Sequence, residues 1–138
     1  MLNNLLSGKH RKEIPVKLLV LVPILLVLVV LGCDAAPSDV PVDPSYATDV
    51  QPIFSANCIT CHGNSSPSGG YSLTSYAGAT GTGSDTISNV TPDSADSSKL
   101  YRKIMGVETP QMPLGGAPLD TTKTATIRNW INQGAKDN

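Results

Sequence analysis

A chain of 138 residues has room for one domain and a targeting segment, and not for two sizeable cores. Its charge is uneven: Lys9, Arg11, Lys12 and Lys17 crowd the start, while beyond residue 32 six basic residues face ten acidic ones, a net charge near −4. An acidic part with no basic stretch excludes nucleic acid as a partner on electrostatic grounds.

In chain order the first feature is Leu18 to Leu31, LLVLVPILLVLVVL, apolar throughout with one proline. As helix this run would span roughly 21 Å, short of the ~30 Å hydrocarbon core of a bilayer. A basic stretch ahead of a short apolar run reads as an export signal. It closes in Val30-Leu31-Gly32-Cys33, which resembles the lipobox of bacterial lipoproteins. That resemblance implies cleavage before Cys33 and lipidation of its thiol, with residues 1–32 as the signal segment and Cys33 as the membrane anchor. The alternative is an uncleaved signal anchor, with the span extended back to Ile14. In both cases the basic end stays in the cytoplasm. The expected location is therefore the cell envelope, membrane-anchored and facing the periplasm.

Residues 34–45, DAAPSDVPVDPS, hold three prolines and almost no large apolar side chain. Residues 33–45 are expected to form the anchor and an extended, solvated tether. The folded domain is expected over residues 46–138, a small core for a chain with one Phe and one Trp. A large apolar cofactor would strengthen it.

Three helices are predicted. The first begins near Thr48 or Asp49 as cap, with Gln51 placed for a capping box and Pro52 in the first turn. Val50, Ile53, Phe54 and Asn57 follow the i, i+3, i+4, i+7 spacing and lead an apolar face up to Cys58. The second spans about residues 97–105, where Leu100 with Ile104 and Tyr101 with Met105 form i,i+4 pairs. Lys99, Arg102 and Lys103 share its other face, read as solvated or as a docking face for an acidic partner. The third spans about residues 121–133, capped by Asp120, stopped by Gly134, with Ile127, Trp130 and Ile131 along one side. Between His62 and Ser97 lies a Gly/Ser/Thr/Asn-rich stretch with a short helical turn expected near residues 73–79. Loops of that length wrap something or carry function. No strand signal persists, so the expected fold class is all-α.

Cys58-Ile59-Thr60-Cys61-His62 is the most specific motif in the chain. Two thiols three apart can add to the two vinyl groups of one haem, and the next residue supplies an imidazole as proximal iron ligand. Three other readings compete. A thioredoxin-like redox pair needs a βαβ context that is missing here. A zinc site needs two further ligands. A plain structural disulfide suits an oxidising compartment. The haem reading accounts for all three cysteines, one for lipid and two for haem c, with one covalent haem per chain. His10 lies in the leader, so a second axial ligand must be a methionine. Met105 fits an apolar helix position and reads as core. Met112 sits in Thr109-Pro110-Gln111-Met112-Pro113, where the prolines hold an extended segment stiffly, and reads as the ligand. Methionine opposite histidine raises the reduction potential.

The order of apolar helix, CxxCH, long loop, helix, Met-Pro loop and Trp-containing last helix resembles a class I c-type cytochrome. Asp49 to Phe54, Cys58 to Gly63, Gly69 to Leu73, Met112-Pro113 and Trp130 to Ala135 are similar to the planctomycete-type cytochrome c domain. The resemblance covers about residues 46–136. It implies a small all-helical fold wrapped around haem, with the first and last helices crossing, His62 below and Met112 above. The expected function is periplasmic-side electron carriage between a redox protein donor and an acceptor, with a membrane oxidoreductase complex as one such partner, and no enzymatic turnover. The alternative is a haem-based sensor or small-ligand binder with an open or labile sixth position.

Overall fold

The computed structural model describes residues 39–138. The expected signal segment, residues 1–32, and Cys33 lie outside the described residues. The first helical segment starts at Ser45, three residues before the predicted cap. Its hydroxyl accepts from the Thr48 amide, and its own amide donates to the Asp49 carboxylate at 2.8 Å. Tyr46 is an anchor of the core, and the extra turn that carries it, Tyr46–Val50, is π-helical before α1 (Gln51–Asn57) takes over. Gln51 closes no capping box. Its side-chain amide instead donates to the Leu73 carbonyl and to Ser55 Oγ, each at 3.2 Å.

The unpaired donors of that first turn are met from the far end of the chain. Tyr46 N donates to Asn138 Oδ1 at 2.8 Å and Ala47 N to the Asn138 carbonyl at 3.0 Å. The segment read as a solvated tether is also partly docked. Pro44 is buried, and the carbonyls of Pro41 and Val42 accept from the side-chain amides of Asn129 and Gln133 on and after the last helix.

Helix α2 (Tyr76–Thr80) is the short turn expected in the long loop, capped by Ser75, whose hydroxyl accepts from Gly78 N. A 3-10 turn at Ala95–Ser97 leads into α3 (Lys99–Ile104). Helix α4 (Thr121–Asn132) begins as predicted. The Asp120 carboxylate accepts from Lys123 N at 2.8 Å. It ends as predicted too, with Gly134 at φ +94, where a side chain would be strained. The described residues contain one isolated β-bridge, Thr82 with Ser88, and no strand, so the domain is all-α. No helix among the described residues is long and apolar enough to cross a membrane.

The core forms where the N-terminal turn and α1 meet α4. Val50, Phe54, Ile127 and Ile131 are fully enclosed, and Trp130 stands against Tyr46 with ring centroids 5.4 Å apart. Leu100, Tyr101 and Ile104 bring α3 into the same cluster. Met105 does not join them. It caps the C-terminal end of α3 with near-helical backbone, and at that position its side chain is 48% exposed.

The polar stretch from residue 63 to residue 98 is fastened along its length. Leu73 N donates to the His62 carbonyl at 2.8 Å, Asp93 N to the Ile131 carbonyl at 2.9 Å, and Tyr76 Oη to the Ala135 carbonyl at 2.9 Å. Small polar residues let this backbone fold back on itself and satisfy its own donors without a sheet.

Candidate functional site

Helix α1 delivers Cys58 directly: its amide donates to the Phe54 carbonyl at 2.8 Å as the helix closes. Cys61 N and His62 N then both fold back onto the Cys58 carbonyl, at 3.1 and 2.9 Å. This tight turn brings Cys58, Cys61 and His62 together on the wall of one cavity of about 300 Å³. Both thiols are free, Cys58 half-buried and Cys61 exposed. Burial pushes the Cys58 thiol up to about 11, so in the folded domain it stays protonated at neutral pH.

His62 is oriented from behind. Its Nδ1 lies 2.8 Å from the Tyr71 carbonyl oxygen. A carbonyl only accepts, so Nδ1 carries the proton and Nε2 is left with its lone pair free for a metal. Tyr71 is itself pinned. Its phenol donates to the Ala79 carbonyl at 2.6 Å, and burial raises its pKa far above the usual range. The Gly-Gly-Tyr segment in the long loop therefore positions the imidazole, a role the sequence pattern did not disclose.

Met112 lines the same cavity as Cys58, Cys61 and His62, and Met105 does not. The Met112 amide donates to the Lys103 carbonyl at 2.9 Å, and Gln111 Nε2 to the Ile104 carbonyl at 3.2 Å, which hangs the Met-Pro loop from the end of α3. The remaining wall is mainly apolar: Tyr71, Leu73, Leu100, Ile104, Pro113 and Leu119 contribute to it. Lys99 and Lys103 contribute as well, where the sequence leaves their helix face as solvated or as a docking surface for an acidic partner. Their side chains are only 27% and 18% exposed, and each is paired with a carboxylate, Lys99 with Asp85 and Lys103 with Glu108 at 3.4 Å. Arg102, between them, reaches Glu108 at 3.8 Å and is not in the wall.

These residues fit haem by their chemistry. Two free thiols at CxxC spacing, an imidazole with its outer nitrogen bonded and its inner one free, and a thioether share one apolar cavity. They do not fit zinc. Among the described residues no three His, Cys, Asp or Glu side chains converge as a metal-ion site.

An all-helical fold whose CxxCH turn opens onto such a cavity is that of a cytochrome c-type domain. Comparison with protein families agrees: residues 58–113 match the family model described as planctomycete cytochrome C, a stretch that opens on Cys58 and closes one residue after Met112. No curated protein and no solved structure matches the chain. A cytochrome c-type domain implies haem c and a function of the electron-transfer type.

Proposed function

We propose that this chain is a membrane-anchored monohaem c-type cytochrome that carries electrons on the periplasmic side of the cell envelope. Cys58 and Cys61 would hold the haem by thioether bonds, and His62 Nε2 and Met112 Sδ would be the two side-chain atoms offered to its iron. The observation that carries this reading is the convergence of Cys58, Cys61, His62 and Met112 on one cavity, with His62 Nδ1 already committed to Tyr71. When bound, the haem supplies one-electron exchange at its iron. The protein holds the imidazole in one tautomer, keeps water from the apolar wall and suspends the thioether from α3.

Two features support carriage rather than ligand binding. The Met112 loop is hydrogen-bonded to α3 at several points, and the long loop is tied to His62 and α4. The anchor rests on the basic leader, the apolar run and Cys33. The proposed partners are a redox protein donor and acceptor, with a membrane oxidoreductase complex as the natural donor for a carrier held at the membrane.

The test is the absorption spectrum of the detergent-extracted protein, reduced, before and after carbon monoxide. A low-spin c-type spectrum that carbon monoxide barely changes is the expected result. A prompt shift would transfer the assignment to a haem-based ligand sensor. Absence of haem bands in protein made with the maturation machinery would remove the proposal. Mass spectrometry of the mature N-terminus separates lipidated Cys33 from an uncleaved anchor.

A further inference from the structure

We propose that Lys99 and Lys103 form the anion-receiving wall of the haem cavity and bind the two propionate carboxylates of the cofactor. This rests on the haem reading above. Among the described residues that line the cavity, Lys99 and Lys103 are the only Lys, Arg, Asp or Glu. That is unexpected in a domain whose exported part is net acidic. The two lie four residues apart on α3, one helical turn, so they project from the same face roughly 6 Å apart along the axis. The rest of the wall offers apolar surface for a porphyrin face and these two cations for its two anions.

Their present partners do not exhaust them. Asp85 and Glu108 hold the lysines from outside, and neither lines the cavity. Both carboxylates are more than 30% exposed, so these pairs are weak on their own. A lysine ammonium carries three donors. Lys103 also donates to the Thr109 carbonyl. Even so, each partly desolvated cation gains from a second anion on its cavity side. Asp85 and Glu108 then act as outer clamps that keep the ammonium groups aimed at the cofactor edge.

The experiment uses the full-length haem-loaded protein and its Lys99→Gln, Lys103→Gln and Arg102→Gln variants. Haem content is checked from the pyridine haemochrome, and the reduction potential is followed spectroscopically from about pH 5 to pH 9. Removing a cation beside a propionate destabilises the ionised carboxylate and raises its pKa. Each lysine variant should therefore have a lower potential at neutral pH and a new pH-dependent segment near neutrality. Arg102→Gln, an equal charge change outside the wall, should track the wild type. Asp85 is held below the ordinary carboxylate range mainly by its hydrogen bond from Lys99, so it could itself titrate once Lys99 is gone. The double variant Lys99→Gln/Asp85→Asn removes that source, and the new segment should persist in it. Lys99 makes no hydrogen bond to the Met112 loop, so its variants carry the test even if Lys103→Gln disturbs axial ligation. Profiles for Lys99→Gln parallel to the wild type, an equal shift in Arg102→Gln, or loss of the new segment in the double variant would each overturn the proposal. A wild-type protein without haem would instead overturn the haem reading on which it rests.

Discussion

The Met112 amide donates to the Lys103 carbonyl across 2.9 Å, so the proposed distal ligand hangs from the helix that also forms a wall of the cavity. One residue thereby serves two ends of the site. Lys103 holds the Met-Pro loop through its carbonyl and through its ammonium, which donates to Thr109 and pairs with Glu108. A loop of irregular backbone presses a side chain into a fixed place only when its own polar groups are engaged, and here they are.

Met105 and Met112 should separate cleanly. Met112→Ala removes the thioether from the cavity, and the reduced protein should then bind carbon monoxide promptly and show a lower reduction potential. Met105→Ala, at a half-exposed position outside the cavity, should leave both spectrum and potential as in the wild type. Carbon monoxide binding by the Met105 variant alone would reverse the assignment.

Much of this arrangement was legible in the sequence, and the parts that were not share a cause. Asp120 and Gly134 mark the ends of α4 because local rules decide a cap and a left-handed stop. The CxxCH turn is likewise a local pattern, and of the two methionines weighed as an axial ligand Met112 is the one that lines the cavity. The cap at Ser45 was missed because it depends on Tyr46 entering the core and on Asn138, far along the chain, supplying acceptors to the first turn. The same holds for Tyr71, whose carbonyl finds His62 only once the loop has folded back. Lys99 and Lys103 read as solvated or docking residues on a helical wheel, since nothing in a wheel shows that distant loops close a cavity against them.

Tyr71→Phe should lower stability by about 1–3 kcal/mol, because the Ala79 carbonyl would lose its phenol donor in a buried setting. For a domain of this size that is a fall in melting temperature of roughly 4–8 °C per kcal/mol. The backbone carbonyl of residue 71 survives the substitution, so His62 should keep its Nδ1 bond and the haem spectrum should remain low-spin. A denaturant midpoint unchanged from the wild type would show that the phenol adds nothing.

The N-terminus of α4 should carry a pH signature. The Lys123 side chain, and then its amide, hold the Asp120 carboxyl below the ordinary carboxylate range. A carboxylate whose pKa is lower in the folded state stabilises the fold at neutral pH, and that contribution is lost as pH falls through the folded value. Asp120→Asn keeps a good capping acceptor but not the charge. The wild type should therefore melt higher than Asp120→Asn at neutral pH, with the gap closing below about pH 4. A gap that widens in acid would mean that the charge is not what Asp120 contributes.

The covalent link should matter for folding as well as for redox chemistry. Leu73, Leu100 and Ile104 are core residues that also line the cavity, so a group held there extends the core instead of sitting on its surface. A ligand that binds only the folded state stabilises it, and a tethered ligand does so at very high effective concentration. With one Phe and one Trp in the whole chain, the core has few large side chains of its own, so such a reinforcement should count. Replacing Cys58 and Cys61 together by serine barely changes the volume of either side chain, so the direct packing cost is slight. The double variant should nevertheless run without covalent haem on a denaturing gel and show much reduced helical circular dichroism at room temperature. Retention of wild-type helicity and melting temperature without covalent haem would show that the core around Phe54 and Trp130 suffices alone, and that the cofactor is a passenger in the fold.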